Sequence, residues 1–187
     1  MTPQFTICLV AVSLTFLCFS GAMRLYFRAQ GPSTVWQRVM KGAVLGSSVA
    51  LYVAIWSSRS EQSGTRWLAI LLLALAQILF WWSIVAHGHM RPAIAFSDEP
   101  APRVVSWGPY RWIRHPFYTA YLLAWAAAAL IALQPGLLVV TGVMGLIYAI
   151  AAHSEERAIL ESPLASEYSR LRETTGAFWP RLSIRRL

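Results

Sequence analysis

A chain of 187 residues in which 57% are hydrophobic and only 13% are charged is too apolar for an ordinary soluble domain. Its net charge of +8 does not indicate a nucleic-acid-binding protein, because the basic residues flank long apolar runs and do not share a polar face with aromatic residues. Lys and Arg at the ends of apolar runs orient membrane proteins. The composition therefore predicts a single membrane-embedded domain without a nucleic-acid partner.

Five apolar runs predict an all-α fold with five transmembrane helices. They cover residues 5–23, 39–56, 67–85, 118–133 and 137–152. The first three approach the roughly 20 residues that cross a bilayer, and the last two are shorter. Only Gln134, Pro135 and Gly136 separate the last two runs, so these form an antiparallel helical hairpin. The polar stretch 86–116 is too long to be a simple connection, and we expect it to be functional.

The distribution of Lys and Arg predicts how the chain is oriented. The N-terminus has none, the first connector region four, the second two, the third four, the turn at 134–136 none and the tail six. This alternation predicts an N-terminus outside and a cytoplasmic C-terminus, in an inner or plasma membrane. The third connector and the tail then lie on the same, cytoplasmic side.

Two polar clusters adjoin the cytoplasmic end of the predicted hairpin. The first has the sequence GPYRWIRHPFY at residues 108–118, and the second has HSEER at 153–157. Pro109 and Pro116 disfavour helix in the residue before each, which predicts a shaped turn that enters a helix. A helix N-terminus attracts anions, whereas carboxylates and tyrosine rings attract cations. Together the clusters favour a zwitterionic ligand with a positive centre.

These motifs resemble the isoprenylcysteine carboxyl methyltransferase family, which is related to phospholipid N-methyltransferases. The block at 108–118 is followed by Glu155-Glu156, by Tyr168 and by Phe178-Trp179-Pro180, and the resemblance covers about residues 75–182. It implies an integral membrane methyltransferase that uses S-adenosylmethionine, in which the long loop and the tail close a cytoplasmic pocket over the cofactor. Carried over by position, segment 102–105 and the two clusters supply the implied cofactor contacts: Arg103, Val104, Val105, Tyr110, His115, Pro116, Phe117, Tyr118 and Glu156.

The resemblance also implies a division of the chain and a class of substrate. Residues 1–66 would be scaffold and residues 67–187 the methyltransferase core, with a small lipophilic acceptor reached from the membrane lipid. The prenylcysteine enzymes hold their substrate with an arginine where this chain has Ala152, and a family glycine is replaced by Ala120. Thiol, carboxylate, amine and phenol acceptors all remain open, although the missing arginine weakens the case for a carboxylate. Glu155 and His153 are candidates for a general base, which a thiolate or carboxylate acceptor does not require.

Two other functions compete with the methyltransferase. A membrane reductase of the sterol type has a similar C-terminal cofactor region and takes NADPH, and a catalytically silent scaffold would keep the hairpin only for packing. His87 and His89 have a spacing that is open to metal ligation, but no cysteine or carboxylate set accompanies them. The sequence therefore does not predict a metal site.

Overall fold

A computed structural model describes residues 3–28, 34–57, 63–92, 94–95 and 103–181. Within these ranges the secondary structure is helical: α1 (Pro3–Tyr26), α2 (Val35–Ser57), α3 (Ser63–His87), α4 (Pro116–Ala132), α5 (Pro135–Leu160) and α6 (Ala165–Thr174), with one 3₁₀ turn at Gly108–Arg111. The predicted all-α class is therefore confirmed for the described residues.

Four of these helices, α1, α2, α3 and α5, are long and apolar enough to cross a membrane. The fourth predicted span corresponds to α4, which has 17 residues and is about 25 Å long. Because this length falls below the roughly 30 Å of a bilayer core, the count of five spans stays a prediction. The last predicted span ends at residue 152, but α5 continues to Leu160 and includes both glutamates of the second cluster.

The short helix α4 lies at the centre of the bundle. Helices α1, α2, α3 and α5 all contact it, and α3 packs on it most extensively. Its buried alanines allow this close approach from several sides: Ala120, Ala124, Ala127, Ala128, Ala129 and Ala132. The N-terminus of α4, which follows the first polar cluster, is consequently surrounded by the ends of other helices.

The outer helices bury narrow stripes and expose the rest of their surface. The buried positions of α1 are spaced three or four residues apart, which is the pattern of one helix face: Phe5, Cys8, Val12, Thr15, Phe19 and Ala22. Leu14 and Leu17 on the opposite face are 60% and 68% exposed. Such large exposed apolar side chains suit contact with lipid.

Hydrogen bonds place the first connector, the third connector and the tail at one end of the bundle. The Arg28 amide donates to the Pro92 carbonyl at 2.9 Å, and the Gln37 side-chain amide donates to the Ala95 carbonyl at 3.2 Å. The Thr119 hydroxyl at the start of α4 donates to the Phe178 carbonyl of the tail at 2.8 Å. The charge pattern predicts the same grouping of these segments, whereas their position relative to the membrane stays a prediction.

Candidate functional site

A turn with two special backbone positions leads the chain into α4. Gly108 has a φ of +61°, and a Cβ there would lie 3.1 Å from the Cβ of Ala86, so glycine permits both the left-handed conformation and the close approach to α3. Pro116 occupies the first turn of α4, where its missing N–H leaves no bond unmade. His115 is thereby fixed at the junction between the turn and the helix.

The tail binds this turn through its backbone. The Arg114 amide donates to the Gly176 carbonyl at 2.9 Å, and the His115 amide donates to the Ala177 carbonyl at 3.0 Å. In return, the Gly176 amide donates to the Trp112 carbonyl at 3.1 Å, which makes a short parallel bridge. The backbone of the two residues that carry the site's cationic side chains is therefore held by a distant part of the sequence.

Glu156 on α5 is the centre of a buried ion-pair network. Its carboxylate lies 2.8 Å from Arg114 Nε, 3.1 Å from His115 Nε2 and 3.5 Å from Arg172 Nε. The side chains of Arg114 and Glu156 are only 10% and 12% exposed, and Arg114 also donates to the carbonyl of Thr175. These charge-assisted bonds join α5, α6, the tail and the turn before α4.

Glu155 faces a different set of partners. Its Oε1 atom accepts a hydrogen bond from the Tyr118 hydroxyl at 2.5 Å, and its Oε2 atom lies 3.6 Å from His115 Nδ1. Consecutive residues of a helix point in directions about 100° apart. The two neighbouring carboxylates accordingly lie near different ring nitrogens of His115, Glu155 near Nδ1 and Glu156 near Nε2. The side chain of Glu155 remains 32% exposed.

The surroundings of His115 favour its protonated form. Burial lowers the pKa of this imidazole, but hydrogen bonds and charges from Glu155 and Glu156 more than offset the burial, so the pKa is raised above its ordinary value. Burial also raises the pKa of the Tyr110 and Tyr168 hydroxyls, which therefore stay protonated. The site thus combines a cationic imidazole, two carboxylates and neutral phenols.

A cavity of about 250 Å³ joins this polar cluster to the apolar interior. Eight of the nine predicted cofactor residues line it: Arg103, Val104, Val105, Tyr110, His115, Pro116, Phe117 and Tyr118. The ninth, Glu156, is not among the lining residues and holds Arg114 and His115 in place, whereas Glu155 does line the cavity. Pro102, the first residue of segment 102–105, lies outside the described residues.

Other polar residues also line the cavity without a cofactor assignment from sequence, among them Tyr121, Tyr148 and His87. Tyr121 and Tyr148 line the wall beside Tyr118, whose ring stacks on that of Tyr148 at 5.3 Å. Tyr121 lies three residues after Tyr118, and Tyr148 seven residues before Glu155, so helical spacing alone places each on the face of a known cluster member. His87 also lines the cavity, with its Nδ1 atom 3.1 Å from the Ser83 carbonyl. His153, a candidate base, is exposed and not among the lining residues.

Comparison with known proteins connects this site to one family. A model of the phospholipid methyltransferase family matches residues 65–165, which is more than half of the chain. The match covers almost all of α3, the turn, α4 and all of α5, and it ends at the start of α6. A search of curated proteins finds none that matches the chain.

Proposed function

Because this chain belongs to the phospholipid methyltransferase family, and so carries a membrane methyltransferase domain, we propose that it transfers a methyl group from S-adenosylmethionine to a small lipophilic acceptor. The observation that carries the proposal is the convergence of His115, Tyr118 and Glu155 on one cavity. These residues come from the two arms of the hairpin. Tyr118 donates a hydrogen bond to Glu155, and Glu155 also lies 3.6 Å from Nδ1 of His115. The resemblance of the motifs to cofactor-binding methyltransferases therefore agrees with a site that the fold assembles.

The side chains at the polar end of the cavity fit the chemistry of S-adenosylmethionine. Its sulfonium and amino groups are cations, which the Glu155 carboxylate attracts, and the aromatic residues Tyr110 and Tyr118 line the same cavity. Its carboxylate is an anion, and the Arg103 guanidinium lines the same cavity. When bound, the cofactor supplies an electrophilic methyl group on sulfur.

The protein's own contribution to such a reaction is to position the reactants and exclude water. Fixing a nucleophile in line with the methyl group supplies roughly 7–11 kcal/mol through orientation. The Tyr118–Glu155 bond and the Glu156 network fix the polar wall, and Phe117, which also lines the cavity, packs on Phe80 and Phe27. Glu155 is also the carboxylate placed to accept a proton from an amine or hydroxyl acceptor.

Ligand titration tests the proposal. Purified protein in lipid nanodiscs is titrated separately with S-adenosylmethionine and NADPH, and we expect saturable binding of S-adenosylmethionine alone. The Tyr118→Phe variant, which removes the hydroxyl bonded to Glu155, should bind more weakly. Tyr52→Phe is the control, since Tyr52 bonds Ser13 and is not among the cavity residues. Binding of NADPH in place of S-adenosylmethionine would support a sterol-type reductase, and binding of neither would support a silent scaffold.

Methyl transfer is then assayed with cofactor labelled on its methyl group. Dodecylamine, dodecanethiol, dodecanoic acid and 4-dodecylphenol present the four open nucleophiles on one hydrocarbon chain. We expect label in one of these products or in the nanodisc lipid. Tight cofactor binding without label in any lipophilic product would contradict the proposed acceptor class.

A further inference from the structure

His87 ends α3 with an imidazole that is bonded through one nitrogen to the helix itself. Its Nδ1 atom lies 3.1 Å from the carbonyl oxygen of Ser83, one helical turn earlier. Because a carbonyl can only accept a hydrogen bond, Nδ1 carries the proton in this contact. In the neutral imidazole Nε2 is then an acceptor, and it has no hydrogen-bond partner among the described residues.

The His87 ring is held at the cavity wall by two aromatic neighbours. The Tyr110 ring meets it edge-on with 5.4 Å between the ring centres, and the centre of the Phe117 ring lies 5.8 Å away. The Tyr110 hydroxyl also lies 3.5 Å from Nδ1, and all three residues line the cavity. None of these contacts gives Nε2 a hydrogen bond, so this atom remains available to a ligand in the cavity.

Arg103 is attached to the same end of α3. One nitrogen of its guanidinium donates to the His87 carbonyl oxygen at 3.1 Å, and Arg103 also lines the cavity. A guanidinium has five N–H donors, so one bond to a carbonyl leaves others for an anion. The end of α3 therefore presents a neutral acceptor on His87 and a cationic donor on Arg103 to one cavity.

An α-amino acid group matches this pair of partners. Its ammonium donates hydrogen bonds, its carboxylate accepts them, and both groups are attached to one carbon atom. Bonds of this kind are charge-assisted and stronger than those between neutral groups. The ribose hydroxyls and the adenine amine of S-adenosylmethionine can also donate to an imidazole, but its nucleoside has no anion for the neighbouring guanidinium.

We infer that His87 and Arg103 hold the amino-acid end of the cofactor, with His87 Nε2 accepting from the ammonium and Arg103 donating to the carboxylate. Glu155 is then left for the sulfonium. This inference rests on the proposed function for the identity of the cofactor. His87 belongs to none of the motifs that carry the family resemblance, so the resemblance does not supply this role.

Two ligands with and without an amino-acid end test the inference. S-adenosylhomocysteine and 5′-methylthioadenosine share the adenosine and the sulfur, but the second has no amino-acid group. Both are titrated by calorimetry against the protein in nanodiscs. His87→Phe should weaken S-adenosylhomocysteine binding about tenfold and leave 5′-methylthioadenosine binding unchanged. The control His89→Phe, at an exposed position not among the lining residues, should change neither affinity. Equal weakening of both ligands by His87→Phe would overturn the inference.

Two amide substitutions separate the ligand contact from a structural role of His87. Asparagine places its amide near the position of Nδ1, where it can keep the bond to Ser83, whereas glutamine reaches the position of Nε2. We expect His87→Gln to restore most of the affinity for S-adenosylhomocysteine and His87→Asn to bind as weakly as His87→Phe. Restoration by asparagine and not by glutamine would show that His87 acts through Ser83, and would overturn the inference.

Removal of the carboxylate tests the part of Arg103. S-adenosylmethionine and its decarboxylated form both carry the sulfonium and an amine, and they differ in the carboxylate. Arg103→Gln should weaken binding of S-adenosylmethionine but not of the decarboxylated form, whereas His87→Phe should weaken both. Equal weakening of the two ligands by Arg103→Gln would overturn the inference. If the wild type binds no S-adenosyl ligand, the proposed function is overturned, and the inference with it.

Discussion

Glu155 and Glu156 are neighbours in the sequence with different roles in the structure. Glu156 holds Arg114, His115 and Arg172 from within the packed protein, whereas Glu155 reaches the cavity wall and bonds Tyr118. The family resemblance selects Glu156 for cofactor contact, which stays a prediction. The contacts described here favour Glu155 as the direct ligand and Glu156 as a residue that positions its neighbours.

Replacing each glutamate by glutamine separates these roles. Glu156→Gln breaks a buried ion pair, a change that costs about 3–5 kcal/mol, so the melting temperature should fall clearly. Glu155→Gln should weaken S-adenosylmethionine binding about tenfold, equivalent to about 1.4 kcal/mol, with a smaller fall in melting temperature. Glu161→Gln is the control, because its pair with Arg157 is exposed and worth about 0–1 kcal/mol. If Glu155→Gln and Glu156→Gln lower the melting temperature equally and weaken S-adenosylmethionine binding equally, the division of roles is contradicted.

His115 should make the stability of the protein depend on pH. Its folded-state pKa is raised, so the stabilisation from its bonds to both glutamates is complete below its ordinary pKa of roughly 6.5 and is lost as the pH rises through the raised value. The melting temperature of the wild type should therefore fall above pH 6.5 more steeply than that of His115→Gln. If the melting temperatures of the wild type and His115→Gln fall in parallel as the pH rises above 6.5, His115 is not the source of the pH dependence.

The hydroxyls of Tyr121 and Tyr148 differ in whether they have a hydrogen-bond partner. The buried Tyr121 hydroxyl has no hydrogen-bond partner among the described residues, whereas the Tyr148 hydroxyl accepts a bond from Trp125 Nε1 at 3.3 Å. A buried hydroxyl without a partner costs about 1–3 kcal/mol, so Tyr121→Phe should keep or raise the ligand-free melting temperature. Tyr148→Phe should lower it, since Trp125 loses its acceptor. Destabilisation by Tyr121→Phe would show that its hydroxyl has a structural partner.

The docking of the tail on the turn depends on one glycine. A Cβ at Gly176 would lie only 1.8 Å from the Trp179 carbonyl oxygen, so alanine there forces the tail backbone to move. We expect Gly176→Ala to release Arg114 and His115 from the tail, to lower the melting temperature and to weaken cofactor binding. Gly142→Ala on α5 is the control, because no atom lies within 4 Å of its added Cβ. If Gly176→Ala and Gly142→Ala have the same melting temperature in calorimetry and the same cofactor affinity in titration, the tail does not hold the site.

Apolar runs predict the helices well but do not mark where polar residues extend them. Helix α5 continues to Leu160 because Glu155, Glu156, Arg157 and Ala158 are residue types that favour helix outside the membrane as well. The rotation of α5 against α4 decides which glutamate meets Tyr118, and no spacing in one sequence encodes that rotation. The tail bridge to residues 112–115 is likewise invisible to hydropathy, since it is made by backbone atoms.

The connectors that the pattern of basic residues assigns to one side of the membrane also lie at one end of the helical bundle. The first connector, the third connector and the tail meet at one end, and at the other end the Arg66 guanidinium lies 5.8 Å from the centre of the Phe5 ring. We predict that the end with the site is cytoplasmic. Protease should remove a C-terminal tag only from inside-out vesicles and an N-terminal tag only from right-side-out vesicles. The reverse pattern would place the site on the outer side.

The central claim is that one cavity, at the mouth of the α4–α5 hairpin, holds the methyl donor. A crystal structure with S-adenosylhomocysteine, the demethylated cofactor, tests it most directly. The account predicts that the bound molecule contacts Tyr118 and Glu155. Binding at another surface, or in this cavity without contact to either residue, would contradict it.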